Sequence, residues 1–102
     1  MSVYMLVEVT VKDRATYAEY VGEVDSVVRA HGGRYLARGG KVIPIAGDWN
    51  PERIVVVEFG SFEQHQRCMN SPEYRALVPL RDRSAEMRSI LVEGCPPSGR
   101  PA

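Results

Sequence analysis

A guanidinium and a carboxylate pose the first chemical question in this chain. Arg38 closes the short segment RYLAR (34–38), and Glu58 interrupts the apolar run RIVVVEF (53–59). On an extended strand Ile54, Val56 and Glu58 share one face, with Val55, Val57 and Phe59 on the other. Either face is apolar enough to be buried, and an unpaired carboxylate there would be costly. Arg38 shares a strand face with Arg34 and Leu36 if RYLAR is regular. A guanidinium can grip a carboxylate through two parallel hydrogen bonds. The expectation is therefore an Arg38–Glu58 pair at a cleft. It would serve either as proton acceptor and oxyanion holder or as a structural ion pair; the remaining alternative is that Glu58 marks an exposed strand end.

Other side chains offer weaker chemistry. His65 could act as a general base if it faces the cleft. His31 precedes a helix C-terminus, where a protonated ring is favoured. Neither histidine belongs to a ligand set, so no metal is expected. Trp49 could stack on an aromatic ligand, or cover the core or a contact between copies. Tyr17, Tyr20 and Tyr74 combine apolar rings with phenols that can point into a cleft or stay packed. Ser71 lacks a strained elbow and an evident base, so it reads as a helix cap whose N-terminus could hold an anion. Arg75, Arg81 and Arg83 follow in the same helical region and could help hold that anion, although solvation is the favoured reading. The chain has no phosphate-binding or dinucleotide glycine motif and no calcium loop, and no cofactor is expected.

The elements that must position these groups are legible from periodicity. Val3, Met5, Val7, Val9 and Val11 alternate with polar or mixed residues, which predicts a strand rather than a signal peptide. Asp13 is an N-cap for a helix whose apolar face carries Tyr17, Val21, Val24, Val28 and His31, and Gly32-Gly33 ends it. KVIPIAG (41–47) reads as a short strand at an edge or bulge, because Pro44 cannot donate to a ladder. GDWNPER is a turn, and 53–59 is the strongest strand, rich in β-branched residues. Ser61-Phe62-Glu63-Gln64 is a capping box that opens a second helix. Ser71-Pro72-Glu73 opens a third, running to about Ala85 with a kink or break at Pro79. Residues 87–93 form the last strand, and the Gly/Pro-rich end, 95–102, is expected to be a flexible tail. The order predicts one α+β domain over 1–94 with a ferredoxin-like split βαβ plan, an antiparallel sheet carrying helices on one face. The uncovered face still presents Val, Ile and Leu, and a second copy is the economical cover.

Composition narrows the partners. Thirteen Lys and Arg balance thirteen Asp and Glu in 102 residues. A neutral chain with no basic run gives nucleic acid or an anionic membrane no electrostatic reason to bind. No apolar run approaches the ~20 residues needed to cross a bilayer. Cys68 and Cys95 lack metal or C-x-x-C spacing and read as reduced thiols of a cytoplasmic protein, with a structural bridge as the alternative.

Several stretches together resemble the small bacterial domain-of-unknown-function family 1330. They are Asp13-Arg14-Ala15-Thr16-Tyr17 with Tyr20, and His31-Gly32-Gly33-Arg34-Tyr35-Leu36-Ala37-Arg38-Gly39-Gly40. Further along come Gly47-Asp48-Trp49, Pro51, Arg53, Glu58-Phe59 and Asn70-Ser71-Pro72-Glu73-Tyr74. The resemblance covers about 3–94. It departs at Cys68-Met69, where relatives often carry an aromatic pair, and at Arg14, where proline is common. The resemblance implies a homodimeric α+β barrel with a cleft between sheet and helices in each subunit. It implies no reaction, although structural cousins include cofactor-free monooxygenases, lactone isomerases and haem-handling proteins.

Three functions follow as expectations. The first is a binder of a small apolar or aromatic carboxylate, with Arg38 on the charge and Trp49, Glu58, Tyr17, Tyr20, Ser71 and Tyr74 around the ligand. The second is a cofactor-independent monooxygenase or isomerase acting on a small cyclic substrate. There Glu58 or His65 would take a proton and Arg38 would hold the enolate. The third is a structural dimer without ligand.

Overall fold

The computed structural model describes residues 1–96; the end of the expected tail, 97–102, lies outside the described residues. Seven elements follow in order: β1 (Val3–Val11), α1 (Arg14–Ala30), β2 (Arg34–Arg38), β3 (Arg53–Phe59), α2 (Phe62–Met69), α3 (Pro72–Ser84) and β4 (Ala85–Glu93). The strands form one sheet in the order β2-β3-β1-β4, with every neighbouring pair antiparallel. This is the split βαβ plan with helices on one face.

Local chemistry starts each helix. The Asp13 carboxylate accepts from Thr16 N at 3.0 Å and caps α1. Ser61 Oγ accepts from Gln64 N, while Gln64 Oε1 accepts from Gly60 N, so the capping residues satisfy donors in both directions. Ser71 Oγ accepts from Tyr74 N at 3.1 Å, with Pro72 in the first turn of α3. Lys12 N and Asp13 N both donate to Ser84 O, which ties the start of α1 to the end of α3.

α1 ends at Gly32, whose φ of 81° suits glycine. Gly33 is confined by packing instead. A Cβ there would lie 2.5 Å from Val28 Cγ1 and 3.1 Å from the Phe59 ring. Gly33→Ala is therefore expected to cost about 1–3 kcal/mol through overpacking, measured by urea denaturation. An unchanged midpoint would mean that this corner is not close-packed.

Two expected features are absent. Residues 41–47 form no strand; the stretch from 39 to 52 is an irregular connection with Ile43 and Ile45 exposed. Pro44 lacks the N–H a ladder needs, and no partner strand lies beside it. Nor does Pro79 break α3, which is continuous from Pro72 to Ser84. Pro79 and Arg75 are both exposed, so the carbonyl that loses its partner can be hydrated.

The core lies between the sheet and the helices. Val3, Val9, Val55, Val57 and Phe59 meet Tyr17, Tyr20, Val24 and Val28 of α1, and all are buried. The opposite face of the sheet carries Tyr4, Leu6, Ile54 and Val56, together with the exposed Ile90 and Val92. Among the described residues, no helix covers that face.

Candidate functional site

One irregularity decides where the charged residues go. β2 pairs with β3 through Arg34 opposite Glu58 and Tyr35 opposite Val57, then slips so that Ala37 faces Val56 and Arg38 faces Val55. The extra residue, Leu36, is a β-bulge, and it reverses the alternation beyond it. Arg34 stays on the open face. Arg38 instead joins Tyr35 and Val55 on the helix side. The expected meeting of Arg38 with Glu58 does not occur, because the sheet lies between them.

Each charge finds a different partner. Arg34 Nη2 donates to Glu58 Oε1 at 2.8 Å, and the Tyr4 hydroxyl donates to Glu58 Oε2 at 3.2 Å. This carboxylate raises the Tyr4 pKa, chiefly through that hydrogen bond. Arg38 Nη1 donates to Asp25 Oδ1 at 2.6 Å, and its guanidinium lies 4.1 Å from the Tyr35 ring centroid. Asp25 also accepts from Arg29 Nε at 2.9 Å. The hydrogen bond from Arg38, then that from Arg29, holds the Asp25 carboxyl below its ordinary range. Two guanidiniums thus share one carboxylate, which leaves a net positive charge.

Arg38 stands at the wall of a cavity of about 280 Å³ between sheet and helices. Its floor is apolar: Met5, Val7, Val9, Val55 and Val57. Its roof and flanks include Tyr17, Tyr20, Tyr35 and Tyr74, with Met69, Met87 and Arg81. The Arg53 guanidinium lies 5.2 Å from the Tyr17 ring centroid. Burial raises the pKa values of Tyr17, Tyr20 and Tyr35, so these phenols stay protonated donors at neutral pH. Asp82, the one carboxylate among the lining residues, is 65% exposed and accepts from Arg81 Nε.

The remaining expected site residues lie elsewhere. Trp49 packs on the open face, where its Nε1 donates to Glu8 at 3.2 Å. Arg88 also bonds Glu8, and it is the first cause of that carboxyl's lowered pKa. Ser71 is buried in its cap, and its hydroxyl also donates to Cys68 O at 2.8 Å. Cys68 is a free, buried thiol pushed up to about 11 by desolvation, and Cys95 is free and exposed.

His65 sits behind the cavity wall. Gln66 Nε2 donates to its Nδ1, which places the ring proton on Nε2, 3.3 Å from Met5 Sδ. The ring meets Phe59 edge-on at 5.2 Å. Burial lowers its pKa below 6.5, so the folded chain holds His65 neutral while the unfolded chain protonates it first. Stability from this group is complete above about pH 6.5 and is lost as pH falls from there through the lower folded value. The urea midpoint of the parent protein should drop more between pH 7.5 and 5 than that of His65→Gln. Equal drops would remove His65 as the cause.

Sequence reasoning did not single out Arg81, which it grouped with Arg75 and Arg83 as solvated arginines that could at most help hold an anion. The available signal was its spacing from Tyr74: seven residues, or two helical turns, put both on one face of α3. Its Nη1 donates to the Tyr74 hydroxyl at 3.1 Å, and both line the cavity. Among the described residues, no group of three or more His, Cys, Asp or Glu could hold a metal, and no helix is long and apolar enough to cross a membrane.

A four-stranded antiparallel sheet with helices on one face and a cavity between the layers defines a ferredoxin-like α+β protein. The chain belongs to the DUF1330 family, a domain of unknown function, whose family model matches residues 2–95. Solved structures share its fold. A protein of unknown function from Rhodopseudomonas palustris superposes with a TM-score of 0.77 at 20% identity, over 94% of this chain and 84% of its own. SnoaB, a cofactor-independent oxygenase from Streptomyces nogalater, does so at 0.69 and 9% identity, over 93% and 94%. A dabb family protein from Mesorhizobium loti with a ferredoxin-like fold gives 0.65 at 13% identity, over 93% and 98%. At these identities the likeness is one of fold. No curated protein matches the chain.

Proposed function

We propose that this protein binds a small aromatic carboxylate in the cavity between sheet and helices. The observation that carries this reading is the Arg38–Asp25–Arg29 cluster, which reaches the cavity through Arg38. Its two cations and single anion leave a charge for a second carboxylate, beside an apolar floor and a ring of tyrosines. The cavity lies near the lower end of the roughly 300–1,000 Å³ of small-molecule sites, which suits one or two rings. Tyr17, Tyr20 and Tyr74 supply ring faces and phenol donors. The uncovered sheet face pairs with a second copy; its exposed Ile90, Val92, Leu36 and Trp49 give that contact its apolar surface.

Arg38→Met tests the reading. Benzoate and 2-naphthoate are expected to bind the parent protein, as followed by calorimetry. The variant should bind each at least tenfold more weakly, the loss of a charge-assisted hydrogen bond. Equal affinities would sink the assignment. An oxygenase or isomerase at the same cavity is the alternative, favoured by the fold shared with SnoaB. Against it, neither Glu58 nor His65 is among the cavity-lining residues.

A further inference from the structure

The cavity has a second polar pole, and it faces the first across an apolar floor. Arg38 enters from β2, at one margin of the sheet; Arg81 enters from α3, the helix that leads into β4 at the other. Three inter-strand spacings of about 4.8 Å separate those margins, and the floor between them carries no charge.

The Arg81 pole is rich in donors. Arg81 Nη1 donates to the Tyr74 hydroxyl and Nε donates to Asp82, while Nη2 has no partner among the described residues. Tyr20, on the neighbouring α1, brings its phenol beside that of Tyr74. Two adjacent hydroxyls can satisfy only one of their two protons between themselves, so one O–H remains to donate. Among the described residues, no buried side-chain polar atom lacks a partner, so the unused donors are accessible rather than sealed in the core, and the residues that carry them line the cavity. A guanidinium and two phenols side by side on the cavity lining offer the donors an oxygen anion needs. The carboxylate of Asp82, mostly in solvent, only partly offsets the charge.

Resting on the ligand class proposed above, we infer that the cavity takes an aromatic dianion: one carboxylate at Arg38, and a second at Arg81, Tyr74 and Tyr20. The second pole makes the site discriminate by length and charge. A monocarboxylate would leave the Arg81 donors facing water, whereas a dicarboxylate of the right span satisfies both ends.

The test uses two matched pairs of probes, benzoate with terephthalate and 2-naphthoate with 2,6-naphthalenedicarboxylate, titrated by calorimetry into the parent protein. In an ordinary apolar cavity a second charge weakens binding, since it must be desolvated. Here the second carboxylate should strengthen binding at least tenfold in one pair. In Arg81→Met that ratio should collapse to about one, and Tyr74→Phe should reduce it. Arg81→Lys, which keeps the charge, should retain part of it and guards against a folding defect in the methionine variant. If the monocarboxylates bind and their dicarboxylates bind no better, the second pole is refuted while the first survives. A ratio unmoved by Arg81→Met also refutes it. If none of the four probes binds, both this inference and the proposed function fall.

Discussion

An Ile90→Asp variant is expected to run as a folded monomer at concentrations where the parent protein is expected to run as the proposed dimer. Ile90 is 63% exposed in the single chain and lies opposite Leu6 on the uncovered sheet face. A charge there costs the isolated fold little, because it stays in water. In a twofold contact the same residue occurs twice, and each carboxylate would enter an apolar interface without a partner. At about 3 kcal/mol or more per copy, the dissociation constant should rise by roughly 10⁴. Light scattering coupled to size exclusion gives the mass directly. The helix-side cavity should still bind benzoate in the monomer, since the sheet separates it from the substitution. A parent protein that is already monomeric, or a variant that stays dimeric, would show that this face is not where two copies meet.

Phe59→Ala should have the largest effect on stability. Phe59 is wholly buried at the end of β3, packed against Gly33 at the end of α1 and edge-on to His65 in α2. It therefore joins three elements, and the backbone around a deleted ring relaxes only in part. A loss of about 3–5 kcal/mol is expected, with Tm lower by more than about 12 °C. Calorimetry on Phe59→Ala and Phe59→Leu separates loss of the ring from loss of volume, with the leucine variant well above the alanine one. A change below about 1 kcal/mol for alanine would mean that this junction does not hold the layers together. Because His65 backs Met5 on the cavity floor, the alanine variant should also bind 2-naphthoate more weakly at a temperature where it remains folded.

What the chain reveals about itself depends on the range of the interaction. The caps at Asp13, Ser61 and Ser71 were legible because each is settled within a few residues. So were the valine alternation of β1 and the aromatic face of α1, which together imply the sheet-and-helix layering. The partner of Glu58 was not. Its assignment assumed that RYLAR alternates strictly, and one bulged residue at an edge strand undoes that assumption without leaving a glycine to mark it. The segment around Pro44 has strand-like composition, but a strand exists only where another pairs with it. Arg81 was read as a solvated charge because helical arginines usually are; its contact with Tyr74 depends on the cavity being there.

The bulge at Leu36 also makes the chain easy to reassign. Ironing out the bulge at constant length, so that Leu36 takes the place opposite Val56, would turn Arg38 over to the side where Arg34 and Glu58 already sit. The positive charge would leave the tyrosine-lined chamber without any exchange of side-chain type. Relatives could thus gain or lose an acid-seeking pocket through a one-residue slip of register, at the margin of the sheet where such changes disturb least. Comparison of homologous pockets should therefore establish whether β2 carries the bulge before comparing residue identities.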